Sequence, residues 1–311
     1  MLTLDEKKIR KGKAIGLPYV GGKKKISKKI VEIIKQNFGT DKTVYDLFGG
    51  GGAITSELMI NGIDVVYNDL DKTITDMFNR VLNQDRVWAK ALIVSRDEFF
   101  RISSKETKTV DDELKLLVNS FGNNRKNYLY SKELSDIKYK IAVEILENSK
   151  SLNYNFSNYS KTKIYIENVF NNEKIFKKCV DNRTNRKIMH PLQQITSLTS
   201  ILDIEQLNLY PKTTNKDYRY FSDVEGSIIY LDPPYENSAN TYEGGSFDSI
   251  AFYDWAFEMA KNNTVLISSY EVSDPRFEVV YEFKNARPTF KGGKGEKSEK
   301  KYEKLFMVKM A

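Results

Sequence analysis

The hydrophobic period changes along the chain, and the changes divide it. Residues 1–17 are charged and read as a basic, poorly structured lead-in. Pro18-Tyr19-Val20-Gly21-Gly22-Lys23 reads as a glycine turn, after which Ile26, Ile30, Ile33 and Ile34 recur at helical spacing. Thr43 to Phe48 is a short apolar run that predicts a buried strand. It meets four glycines, Gly49 to Gly52, and then Ala53 to Ile60, which predicts a helix stopped by Asn61-Gly62. Ile63 to Tyr67 predicts a second strand ending at Asn68-Asp69, with a helix resuming near Lys72. Strand, glycine turn, helix, strand and acid in this order imply a parallel sheet.

From about Asn83 to Gln206 the pattern turns polar and helical, rich in Asn, Tyr, Lys and Ser. Leu192, Ile195, Leu198 and Leu202 form an apolar stripe after Pro191, a residue suited to the first helical turn. Strands then return: Leu207 to Tyr210, Ile228 to Leu231, and Thr264 to Ile267 after a helix over Phe247 to Lys261. Val279 to Phe283 and Leu305 to Val308 predict a closing hairpin. The expected architecture is α/β. A sheet domain comprises residues 1–82 and 207–311, and a smaller, mainly helical domain, 83–206, is inserted into it.

Composition narrows the chemistry. With 311 residues, 40% hydrophobic and 29% charged, the chain has the profile of a globular protein. No apolar run approaches the roughly 18 residues that a membrane helix needs, so no membrane association and a cytoplasmic location are expected. The N-terminus is too charged for a signal peptide. A single cysteine, Cys179, excludes an internal disulfide and a thiolate zinc cluster, and a single histidine, His190, excludes a multi-histidine metal site. No metal is expected. The net charge is +7, and no acid interrupts the basic residues from Lys7 to Lys29. Further basic stretches surround Arg183, Arg186 and Lys187, and run from Lys291 through Lys294 and Lys297 to Lys304, loosened by Gly292, Gly293 and Gly295. Basic loops with glycines suit a phosphate backbone, and equally a solvated surface.

Two motifs carry chemistry. The glycine turn lets backbone approach a ligand closely and sets a helix N-terminus beneath it, but its spacing is not that of a nicotinamide dinucleotide fold. Asp69, ending the next strand, stands where an acid can accept hydrogen bonds from the ribose of an adenosine-bearing cofactor. The stronger motif is Asp232-Pro233-Pro234-Tyr235 at the carboxyl end of a predicted strand. There the Asp232 carboxylate and the Pro233 carbonyl are two acceptors, which suit the two hydrogens of an exocyclic amine. Tyr235 adds a flat face for a base. Drawing those hydrogens out of the ring plane localises the nitrogen lone pair, ready to attack a sulfonium methyl without histidine or metal.

These motifs in this order resemble the Dam-type DNA adenine N6-methyltransferases over about residues 15–310. Ser120-Phe121-Gly122-Asn123-Asn124 and Thr214-Asn215-Lys216-Asp217-Tyr218 are similar to segments of the phage and prophage branch. The resemblance implies a Rossmann-like fold that transfers methyl from S-adenosylmethionine to a flipped adenine in double-stranded DNA. It implies that Tyr19, Lys23, Asp69 and Asp232 contact S-adenosylmethionine, that Phe48, Gly49, Gly50 and Gly51 line its pocket, and that Asp217 lies near its adenine end. Asp232, Pro233 and Tyr235 would hold the target base. The insert would read the target, with Ser120, Asn123, Asn124, Arg125 and Lys126, helped by Lys291, Lys294 and Lys297, against DNA. A monomer is expected, and a cognate restriction endonuclease acting separately is left open. An RNA adenine methyltransferase is the second reading, disfavoured by the insert. A non-catalytic DNA-binding protein on the same fold is the third, disfavoured by the intact Asp232 motif and Asp69. The methyltransferase reading requires that Asp232 not be sequestered in an ion pair remote from the glycine turn.

Overall fold

The protein is described by a computed structural model covering residues 1–18, 22–84, 86–129, 211–236, 247–284 and 302–309, with isolated positions at 132, 135, 136, 139, 142 and 143. Its chain separates into two compact units. The first holds residues 1–14, 21–75 and 209–311; the second holds 15–20 and 76–208.

The first unit is built on a seven-stranded sheet of order β3-β2-β1-β4-β5-β7-β6. Its strands are β1 (Val44–Asp46), β2 (Val65–Asn68), β3 (Lys212–Thr214), β4 (Ile228–Leu231), β5 (Thr264–Ser269), β6 (Phe277–Glu282) and β7 (Lys304–Val308). β1 to β5 pair in parallel, and β7 runs antiparallel between β5 and β6. Every residue of β2 and β4 is buried, as expected for parallel strands covered on both faces. Leu47, Ile229, Leu231, Phe252, Val265, Ile267 and Phe306 form one continuous core. Helix α1 (Ser27–Phe38) turns Ile30, Ile33 and Ile34 inward, and α2 (Ala53–Ile60) follows the glycine turn. Helix α3 (Lys72–Leu82) follows β2, and its residues from Asp76 on belong to the second unit.

The N-terminal residues correct one expectation. They are held in place, because their charges have partners. Arg10 grips the buried Glu57 of α2 with Nε on Oε1 at 2.7 Å and Nη2 on Oε2 at 2.8 Å. Lys28 Nζ donates to the Gly12 carbonyl at 2.7 Å, and the Leu2 N–H donates to the Val280 carbonyl at 2.8 Å. The third strand is a second finding. The expected strand at Leu207 to Tyr210 lies outside the described residues, while Lys212–Thr214 pairs with β2 at the sheet edge. A three-residue polar edge strand has no alternation to betray it.

In the second unit, the described residues form α4 (Arg86–Lys90), α5 (Arg96–Ser103) and α6 (Val110–Val118). Ser95 caps α5, and Thr109 with Asp112 makes a capping box at α6. Val94, Phe99, Ile102, Leu116, Tyr128 and Leu129 form its core. The Leu192 stripe, Cys179, His190 and the basic group at Arg183 lie outside the described residues. The remaining helix, α7 (Ser249–Met259), belongs to the first unit, with the Asp248 carboxylate accepting from the Ile250 and Ala251 N–H groups.

Candidate active site

β1 and β4 are neighbours, with β2 and β3 continuing on one side and β5 on the other. Chain connections from this point run in opposite directions, so a crevice opens beyond the carboxyl ends of these two strands. The sequence places an acid at or next to the carboxyl end of three strands here: Asp46, Asp69 and Asp232.

The glycine turn after β1 is shaped by Tyr67. That side chain is fully buried and its hydroxyl donates to the Gly50 carbonyl at 2.8 Å. A Cβ at residue 49 would fall 2.3 Å from the Tyr67 ring, so only glycine fits. Asp69 closes the turn from the β2 side: its Oδ2 accepts from the Gly50 N–H at 2.7 Å and its Oδ1 from the Asp71 N–H at 2.8 Å. Burial pushes its carboxyl up to about 6, against those two hydrogen bonds. Asp46 is more deeply set. Its Oδ2 accepts from the Thr55 N–H at 3.1 Å and the Thr55 hydroxyl at 2.7 Å, while its buried Oδ1 has no partner. Burial raises this carboxyl to about 7; Thr55 opposes the rise, and the charges of Asp232 and Asp69 add to it.

Asp232 begins the turn after β4 and forms a cluster with residues far away in sequence. Lys23 Nζ lies 2.6 Å from Asp232 Oδ1, 2.9 Å from the Tyr235 hydroxyl and 3.3 Å from Glu303 Oε1. The Tyr235 hydroxyl donates to Glu303 Oε2 at 3.3 Å, and its ring packs 4.8 Å from that of Tyr270. Ser268 donates to Asp232 Oδ1 at 3.3 Å and accepts from the Tyr230 hydroxyl at 2.8 Å. Burial pushes the Asp232 and Glu303 carboxyls up and Lys23 pulls both down. Lys23, though desolvated, is held well above its ordinary value by Asp232 and Glu303. Asp232 is thus in an ion pair, but not a remote one. β4 pairs with β1 in register, Asp46 opposite Tyr230, and the Leu47 N–H donates to the Tyr230 carbonyl at 3.2 Å.

An open α/β sheet of this order, with acids on both sides of its switch point, is a Rossmann-like framework that takes its ligand at the carboxyl ends of its strands. The model of the D12-class N6 adenine-specific DNA methyltransferases matches residues 19–272, and the chain belongs to that family. Its reaction is methylation of adenine N6 in DNA, and its cofactor is S-adenosylmethionine. A comparison with curated proteins finds no match. The residues fit this cofactor: a cationic group with ribose hydroxyls needs acceptors, and the orphaned Asp46 Oδ1 and the carboxylate of Asp69 supply them beside a turn where backbone stands bare. Among the described residues, no helix is long and apolar enough to cross a membrane.

The other expected site residues are distributed unevenly. Phe48 follows β1 and packs among Tyr218, Phe247 and Phe252. Asp217 is half-exposed and caps the turn over Tyr218–Phe221, with its carboxylate on the Arg219 guanidinium at 2.7 Å. Pro233 is buried next to Asp232. In the second unit, Ser120 and Tyr128 form a bridge that closes a loop. Ser120 is fully buried, and its hydroxyl donates to the Leu117 carbonyl at 3.2 Å and accepts from the Arg125 N–H at 2.9 Å. It shapes the loop. Asn123 and Arg125 adopt φ of 57° and 59°; Asn124 Oδ1 caps the N–H groups of Lys126 and Asn127, and Lys126 is exposed. Arg125 pairs with Glu113 at 3.0 Å. Tyr19, Lys291, Lys294 and Lys297 lie outside the described residues. Sequence reasoning missed Asp46, Ser268 and Glu303. Asp46 carries the same signal as Asp69, an acid ending a strand, whereas Glu303 sits in a basic run that masks it.

Proposed function

We propose that Asp232, Pro233 and Tyr235 hold a flipped adenine of duplex DNA, and that the acidic ends of β1 and β2 hold the cofactor. The observation that carries this reading is the arrangement of Asp46 and Asp69 on one side of the β1/β4 switch point and Asp232 on the other. When bound, S-adenosylmethionine supplies an electrophilic methyl group. The Asp232 carboxylate and the Pro233 carbonyl accept the two hydrogens of the 6-amino group, which concentrates the lone pair on nitrogen. Tyr235, braced by Tyr270, stacks on the base and offsets part of the few kcal/mol spent in unstacking it. Asp69 takes the ribose hydroxyls and Asp46 Oδ1 a cationic group. Tyr19, Asp217, Phe48 and Gly49 to Gly51 complete the cofactor side, and Lys23 borders both halves.

The helical unit reads the target, with Asn123, Asn124, Arg125 and Lys126 on an ordered loop, and Lys291, Lys294 and Lys297 follow phosphates. The enzyme acts as a monomer in the cytoplasm of a bacterial or phage-infected cell, with any restriction endonuclease separate. Asp232→Ala is the test. Transfer of labelled methyl to DNA should fall by about 100-fold or more, the scale of a positioned polar catalytic group, while DNA retention persists. An Asp232→Ala protein that still methylates adenine would refute the mechanism.

A further inference from the structure

Glu303 lies immediately before β7, beyond the stretch that matches the family, and is buried at 3% exposure. Its position raises a question of acceptors. Lys23 has three ammonium protons and meets three oxygens, of which Asp232 Oδ1 is the nearest at 2.6 Å. That oxygen belongs to the carboxylate that the target amine would use. Lys23 is itself only 8% exposed, so it cannot retire into water. Meanwhile Glu303 Oε1 is buried and accepts no hydrogen bond, although Nζ stands 3.3 Å away. A crowded donor therefore sits beside an unspent acceptor.

We propose that Glu303 is a positioning residue that takes over the Lys23 ammonium when the target amine engages Asp232. The inference rests on the function proposed above. The displacement is short, and Tyr235 accompanies it, since its hydroxyl accepts from Lys23 and donates to Glu303 Oε2. Charge balance gives the same answer. As the nitrogen–carbon bond forms and the carbon–sulfur bond breaks, positive charge would pass from the sulfonium to the adenine nitrogen until that nitrogen releases a proton toward Asp232, all in a site that already holds one ammonium. Two carboxylates then face two cations: Asp232 takes the base and Glu303 the lysine. Without the Glu303 charge, Lys23 stays on Asp232 and both cations compete for one carboxylate.

The test is Glu303→Gln in the full chain, with Glu303→Asp beside it. Wild type must first methylate DNA; a wild type that transfers nothing refutes the functional reading and this one together. With an active wild type, Glu303→Gln should lower kcat about 10- to 100-fold, the range of one charge-assisted hydrogen bond, with KM for DNA nearly unchanged. Glu303→Asp, which keeps the charge, should recover part of the loss. A binding readout separates this role from a merely structural one. Duplexes carrying adenine or purine (which lacks the 6-amino group) at the mapped target report how firmly Asp232 holds the amine. Wild type should prefer adenine, Glu303→Gln should lose the preference, and Lys23→Gln/Glu303→Gln should regain it because the competing ammonium is gone. Unchanged kcat in Glu303→Gln, or an adenine preference equally absent with and without Lys23, overturns the proposal while leaving the methyltransferase reading intact. Should Glu303→Gln fail to fold, Lys23→Gln serves in its place: with the competing ammonium gone the adenine preference should persist, and its loss would overturn the proposal.

Discussion

Replacing Asp46 with Asn should make the protein more stable and less able to hold its cofactor, and the gain should depend on pH in a defined direction. In the folded state the Asp46 carboxyl is raised from its ordinary 3.8 to about 7, mainly by burial. The folded protein therefore keeps this proton at pH values where the unfolded chain has released it. Stability from this group is complete below pH 4 and is lost as pH rises through 7. The accumulated loss is about 4 kcal/mol at pH 8 and about 2 kcal/mol at pH 5.5. Asn keeps the two hydrogen bonds from Thr55 through its carbonyl oxygen and puts an amide where Oδ1 has no partner. That buried amide costs about 1–3 kcal/mol, so the net gain at pH 8 is about 1–3 kcal/mol. Urea unfolding at both pH values measures it, with cofactor binding followed by calorimetry. The stabilisation should be about 2 kcal/mol larger at pH 8 than at pH 5.5. Equal effects at the two pH values would refute the argument that Asp46 is stored in a high-energy ionised form.

Two further substitutions test the framework around the site. Gly49→Ala drives a methyl group into the buried Tyr67 ring and should cost about 1–3 kcal/mol by denaturant midpoint, since neither the ring nor the β2 backbone can yield cheaply. Arg10→Ala leaves the Glu57 carboxylate, 1% exposed, without its guanidinium and should cost about 3 kcal/mol in thermal unfolding. Most of that loss should return in Arg10→Ala/Glu57→Gln.

What could be read from the residues follows the range of the forces involved. β1, β2, β4 and β5 announce themselves because parallel strands bury both faces and leave apolar runs. Asp232-Pro233-Pro234-Tyr235 and Asp69 announce themselves because they end such runs. Lys212–Thr214 does not, since an edge strand of three polar residues is held by backbone pairing alone. The N-terminal residues mislead in the same way: their charge suggests solvent, while the geometry of Arg10 and Lys28 spends it on Glu57 and on carbonyls. The cluster of Lys23, Asp232, Tyr235 and Glu303 joins three remote segments, and no local pattern records which lysine of a basic run meets which acid. Ser120 shows how a polar residue in a suggestive motif can also bond within its own loop, which no local pattern announces.

The place of β7 has a consequence for how the enzyme comes into being. β6 is made before β7 yet lies outside it, so the sheet closes only when residues 304–308 slot between two strands already synthesised. Glu303 arrives with that closure, which completes the surroundings of Lys23 at one stroke. A chain lacking residues 304–308 would keep the glycine turn and the Asp232 motif but leave a gap between β5 and β6.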